Sequence, residues 1–258
     1  MQWTTLFKKE LLENWRNKKW IWFPLVMILI AIMDPLTTYY MPLIIDAVGG
    51  MPEGTVFELP EFTPTDVIMM SLGQYSIIGV IVIALISMGT IAGERKSGVS
   101  ELILVKPVSY KNYILSKWAS LNVLVWFAAC LGLFASWYYV NILFGELSFL
   151  ALLQIIFFYG LWLTFVLSLS IFYNALLKSP GLILFATIAT IVTMSIVTQI
   201  FSHVLSWSPN KLSSHIIEML QTDQIGSALW GAAVITVALS IGLIISAIYI
   251  FRKKEMAA

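Results

Sequence analysis

An all-α membrane protein with six transmembrane helices is the fold class the sequence predicts, and three observations predict it. Of the 258 residues, 59% are hydrophobic and only 11% charged, against about a quarter charged in a soluble domain. Six apolar stretches reach the ~20 residues that cross ~30 Å of hydrocarbon at 1.5 Å per residue. Of the 15 Lys and Arg, all but Lys211 fall on one side of the topology those stretches impose. A soluble enzyme is excluded, because so few charges cannot clothe a core of this length. Nucleic-acid binding is excluded too: a net charge of +1 spread beside apolar runs makes no basic face.

Residues 1–19 come first, a polar segment that puts Trp3, Phe7, Leu11 and Trp15 in one i, i+4 row with Lys9, Glu13 and Arg16 opposite. This predicts an amphipathic interfacial helix, either an anchor on the inner leaflet or a face for a cytoplasmic partner. Glu10 interrupts its apolar arc. No small-x-small cleavage site follows, so the first span is expected to remain. The spans are placed at about 20–42, 71–92, 118–143, 149–177, 181–201 and 228–251, within a single transmembrane domain over 1–258. Phe144–Ser148 joins the third to the fourth and Lys178–Pro180 the fourth to the fifth, so each pair is an antiparallel hairpin. The basic bias places both termini in the cytoplasm. Trp15, Trp20 and Trp22 suit the inner boundary, Tyr39 and Tyr40 the outer one.

Two outer loops have content. Residues 43–70 are acidic and carry Pro52, Pro60 and Pro64, which predicts irregular chain. Residues 202–227 allow a short helix after Ser208-Pro209, with Leu212, Ile216 and Leu220 on one face, lying on the membrane or capping a cavity.

The stretch between the second and third spans is the most informative. It reads Gly93-Glu94-Arg95-Lys96-Ser97-Gly98-Val99-Ser100-Glu101, then Leu102–Val105, then Lys106-Pro107-Val108-Ser109. The Gly93 to Gly98 spacing imitates a phosphate loop, but Val99 and Ser100 stand where Lys and Ser or Thr are required, so nucleotide binding is rejected. An acidic residue, a glycine four on, an apolar run, Pro-Val-Ser and then Lys117 resemble the corresponding stretch of ABC-2 type permeases, the membrane subunits of a class of ABC exporters. The resemblance extends to the six spans, the internal termini and the two small helices. It is closest to the branch with the nitrous-oxide-reductase maturation permease and Bacillus-type exporters.

The resemblance implies a permease in the bacterial cytoplasmic membrane, paired with a second copy or a homologue. Separately encoded ABC ATPase subunits would drive it and hold ATP and Mg, with no cofactor on this chain. It also implies that the segment is a coupling lever. Glu94, Arg95, Lys96 and Glu101 would then meet the ATPase, Gly98 would permit a turn or close approach, and Pro107 would re-aim the chain. The plain alternative is a solvated loop whose cations only set topology.

Within the spans, Asp34 beside Pro35 is a pathway candidate, as an intramembrane carboxylate is by default, unless it lies near the outer headgroups. Asn122 and Asn141 are weaker candidates, being of a type that usually bonds between helices. Cys130 sits among apolar neighbours as a small hydrophobe. His203 and His215 have no Cys partners and no His-Glu-x-x-His spacing, so no metal site is expected. Ser214, His215 and Asp223 have nothing that would fix a triad. An ATP-independent carrier or channel, or a membrane sensor or scaffold, are the other functions compatible with these residues.

Overall fold

The computed structural model describes residues 2–47, 61–98 and 108–255, which contain helices and no strand. Helix α1 (Gln2–Arg16) turns through Lys18, at φ +55°, into α2 (Lys19–Ala47). The second span is built in pieces: α3 (Pro64–Gln74), a π turn (Tyr75–Gly79), α4 (Val80–Ser87) and, after a break at 88–91, α5 (Ala92–Lys96). Then come α6 (Tyr110–Leu143), α7 (Phe149–Leu176) and α8 (Pro180–Ile200). A 3₁₀ turn (Pro209–Lys211) leads into α9 (Leu212–Thr222), and α10 (Ser227–Glu255) follows. Six helical stretches are long and apolar enough to cross a membrane, at 19–45, 64–96, 110–143, 149–176, 180–200 and 227–254.

The hub is α7, against which α4, α6, α8, α9 and α10 pack, while α2 lies along α6. Close approach is set by two glycines. A Cβ on Gly132 would fall 1.8 Å from the Tyr75 hydroxyl, and one on Gly160 would fall 2.6 Å from the Trp126 ring. On α10, Ala232, Thr236 and Ser240 turn inward, whereas the other small-residue row, Ala238, Gly242 and Ser246, is exposed. α1, α5, the start of α6 and the ends of α7 and α10 gather at what we call the near end. The far end holds the α6–α7 hairpin, with Phe144 against Tyr39, and α9.

Three sequence expectations change. The irregular loop expected over 43–70 is shorter at both sides, because α2 runs on to Ala47 and α3 begins at Pro64; residues 48–60 lie outside the described ones. Pro35 fails to end α2 because the Ala31 carbonyl, which loses its i+4 donor to the proline ring, accepts the Ser71 hydroxyl instead, at 2.8 Å. Pro64 stands in the first turn, where a missing N–H is harmless, and Thr63 with Asp66 closes a capping box. The third span starts at Tyr110, not 118, since its polar first turns are covered by other helices: Tyr113, Ser116 and Lys117 are all buried. Finally, α9 buries Leu212, His215, Ile216 and Met219 against α3, α7 and α10, so its apolar face is used inside the protein as a cap.

Candidate functional site

The near end concentrates charge in a small volume. α5 is too short to stand alone, and one side chain fixes it. The Glu94 carboxylate accepts from Lys117 Nζ of α6 at 2.7 Å and from Lys9 Nζ of α1 at 3.0 Å through one oxygen. Its other oxygen accepts from Tyr113 Oη at 2.5 Å. Lys117 Nζ also donates to Glu10 Oε1 at 2.9 Å. Lys9 reaches Glu10 at 3.0 Å and Glu13 at 2.7 Å. Side-chain exposure is 1% for Lys117, 11% for Glu94 and 9% for Glu10, so this is a buried network, not a surface pair.

Such a network stabilises only when each ion is matched, because taking an ion out of water costs several kcal/mol. Here two ammonium groups interleave with three carboxylates. Burial works against the charged form of Lys9, but Glu13, Glu10 and Glu94 outweigh it and hold its pKa above the usual lysine range. Glu10, Glu13 and Glu94 could bring carboxylate oxygens within 4.8 Å of one another, as a cation site requires. The Lys9 ammonium already lies within salt-bridge distance of all three. Beside the network is a cavity of about 720 Å³, lined among others by Lys19, Trp22, Leu85 and Thr90.

The break in the second span is held by Asn174 of α7. Its amide nitrogen donates to the carbonyls of Ser87 and Ser170 at 3.0 and 2.9 Å. Its oxygen accepts from the backbone N–H of Ile91 and Ala92 at 3.2 and 3.3 Å. One fully buried side chain therefore satisfies the backbone on both sides of the discontinuity. Below it, Phe251 of α10 stacks on Tyr113 at 5.4 Å, and the Arg95 guanidinium carbon is 5.5 Å from the same Phe251 ring.

The sequence-derived coupling residues thus separate. Glu94 and Arg95 face the interior of the near end, where the sequence suggested an outward contact; their partners are 19 to 85 residues away in sequence for Glu94. Lys96 is exposed. Gly98 adopts φ +74° with open space around it, so it serves a turn and no close approach. Glu101 and Pro107 lie outside the described residues.

Along α1, Trp3 and Phe7 stack at 5.1 Å, and Trp3 and Trp15 are exposed while Phe7 and Leu11 are half-buried. The residues that dock the helix are Glu10 and Asn14, the latter donating to Ser120 at 2.9 Å. Glu10, which looks like a flaw in an apolar arc, is the anchor. The signal that could have found it is the Glu10/Asn14 i, i+4 pair beside the apolar row.

The pathway candidates are not brought together. Asp34 accepts from Gln74 of α3 at 3.2 Å, Asn122 accepts from Thr164 of α7 at 3.0 Å, and Asn141 bonds Trp137 and Leu147 within the α6–α7 hairpin.

Two comparisons bear on this arrangement. The family model described as "ABC-2 family transporter protein" matches residues 4–256. An uncharacterized transmembrane protein of Bacillus subtilis (strain 168), YxlG, is 32% identical over 217 residues, which are 82% of this chain and 83% of that protein.

Proposed function

Because this chain belongs to the ABC-2 transporter family, a family of multi-pass cell-membrane permeases, we propose that it is the permease half of an ABC exporter. In this reading two copies, or this chain and a homologue, form the translocation path. A separately encoded pair of ATPase subunits binds ATP and Mg and meets the chain at its near end, on the cytoplasmic side with both termini. The single observation that carries the reading is the Glu94 network. It ties α5, at the start of the motif segment, to α1 and α6 in one charge-matched body. A push on the segment after Glu94 cannot be absorbed locally without parting buried ions, so it is handed to the first three spans. Glu94 acts as the inner fastening of the lever, and exposed residues such as Lys96 provide its contact surface.

Co-purification with the co-expressed ATPase tests this. Lys96→Glu is exposed and outside the network, so it leaves membrane insertion and protein amount unchanged while lowering ATPase capture roughly tenfold through like-for-opposite charge exchange at a contact. Unchanged capture, or ATP binding by the purified chain alone, would remove the coupling assignment and favour an ATP-independent carrier.

A further inference from the structure

The far half of the bundle contains a second cavity, of about 420 Å³, enclosed by the π turn and α4 of the second span, by α7, α8 and the 3₁₀–α9 cap. Its walls are Ile and Val side chains interrupted by Ser76, Ser195, Gln199, Asn210 and Ser213, with Trp162 of α7 among them. No described residue lining it is charged, so a neutral molecule fits it and an ion does not. Two of its residues carry buried donors without an acceptor in the chain: the indole N–H of Trp162, whose side chain is 5% exposed, and the amide nitrogen of Asn210. A buried donor left unmatched costs about 1–3 kcal/mol, and both cluster at one cavity. Ile77 and Ile196, also in its lining, are 66% and 53% exposed on the outer surface of spanning helices, so the cavity communicates with the bilayer between the second and fifth spans.

We propose that this cavity binds a neutral acyl ester lipid drawn sideways from the bilayer, its chain against the Ile and Val walls and its ester carbonyl accepting from Trp162 and Asn210. The carbonyl is the discriminating group. Apolar walls alone would hold any alkyl chain, whereas two unmatched N–H donors select a molecule that brings acceptors into an otherwise dry place. Ser76, Ser195 and Gln199 serve the glycerol hydroxyls. The site stands apart from the near-end network and does not depend on how ATP hydrolysis is coupled.

The probes are 1-decanoylglycerol and 1-O-decylglycerol, which differ at the ester carbonyl and match in chain length and hydroxyls. Binding to the full chain in lipid nanodiscs is followed by native mass spectrometry. The wild type retains the ester over the ether roughly tenfold, the equivalent of one to two hydrogen bonds. Trp162→Phe keeps the ring packing and removes the N–H, and Asn210→Asp keeps the shape and removes the amide donor. Each lowers the preference several-fold, and together they abolish it, with ether binding unchanged. Ether binding serves as the folding control, and Asn210→Asp stands alone if Trp162→Phe does not assemble. Equal retention of ester and ether by the wild type overturns the proposal. So does a preference that survives both substitutions, or displacement of neither probe when Ser195→Phe fills the cavity.

Discussion

The two ends of the bundle are fastened by different chemistry. At the near end, ions join α1, α5 and α6 through Lys117, Lys9, Glu94 and Glu10. Toward the far end the fastenings are neutral: Ser71 to Ser136 at 2.8 Å, Asp34 taking one amide from Gln74, Trp137 to the Leu147 carbonyl at 2.8 Å, and Thr198 to Ser208 at 2.9 Å. Neutral hydrogen bonds contribute about 1 kcal/mol each and tolerate loss. A buried ion network does not, because removing one member strands the others. The near end is therefore built to move as a unit or not at all, and the far end to yield in small steps.

Lys117→Met tests that contrast at its strongest point. It keeps much of the side-chain volume but leaves Glu94 and Glu10 without their shared buried cation, and it should destabilise the chain by about 3–5 kcal/mol. The single Cys130 provides the readout, since a thiol-reactive dye labels it as the bundle opens on heating. A midpoint shift no larger than that of a far-end substitution would dissolve the contrast. Next comes Asn174→Leu, expected to cost about 2–3 kcal/mol because it strands buried backbone groups at Ile91 and Ala92. Hydrogen exchange should rise at 88–96 before it rises elsewhere. Gly98→Val forces a β-branched residue into the left-handed region and should cost about 1–2 kcal/mol locally. Its effect should be larger on ATP-driven transport than on the unfolding midpoint, and equal effects would deny Gly98 a part in coupling. The smallest change belongs to Ser136→Ala, about 1 kcal/mol or less, since Ser71 keeps its bond to the Ala31 carbonyl.

Hydropathy and short connections were enough to read six spans and both hairpins, because a bilayer leaves the backbone few alternatives. Helix starts were misread wherever polar residues are covered by protein, as at Tyr110–Lys117, since a hydropathy window cannot distinguish that cover from water. Glu94 was legible as a residue that matters, but its direction was not. Lys9 is 85 residues before it and Lys117 23 after it, and nothing local reports that they converge. Glu94→Lys, which from sequence alone would probe an outer contact, would instead crowd three ammonium groups into a buried space. Asn174 was legible only as a bonding amide, because the break it bridges is a feature of another span.

The π turn at Tyr75–Gly79 carries a consequence for how the near end is aligned. Such a turn accommodates one residue beyond the α repeat, and each residue of an α-helix advances the chain by about 100° around its axis. Tyr75, whose hydroxyl donates to the Met27 carbonyl at 2.9 Å, pins the wide turn against α2. The angular phase of everything that follows is set there, including the direction in which Glu94 leaves the second span. Excising one residue between 75 and 79 would restore a regular helix and swing the carboxylate about a quarter-turn away from Lys117. The fit of the ion network thus depends on a residue count taken some fifteen to twenty positions earlier in the chain, and a length change there would unmake it without altering any of its members.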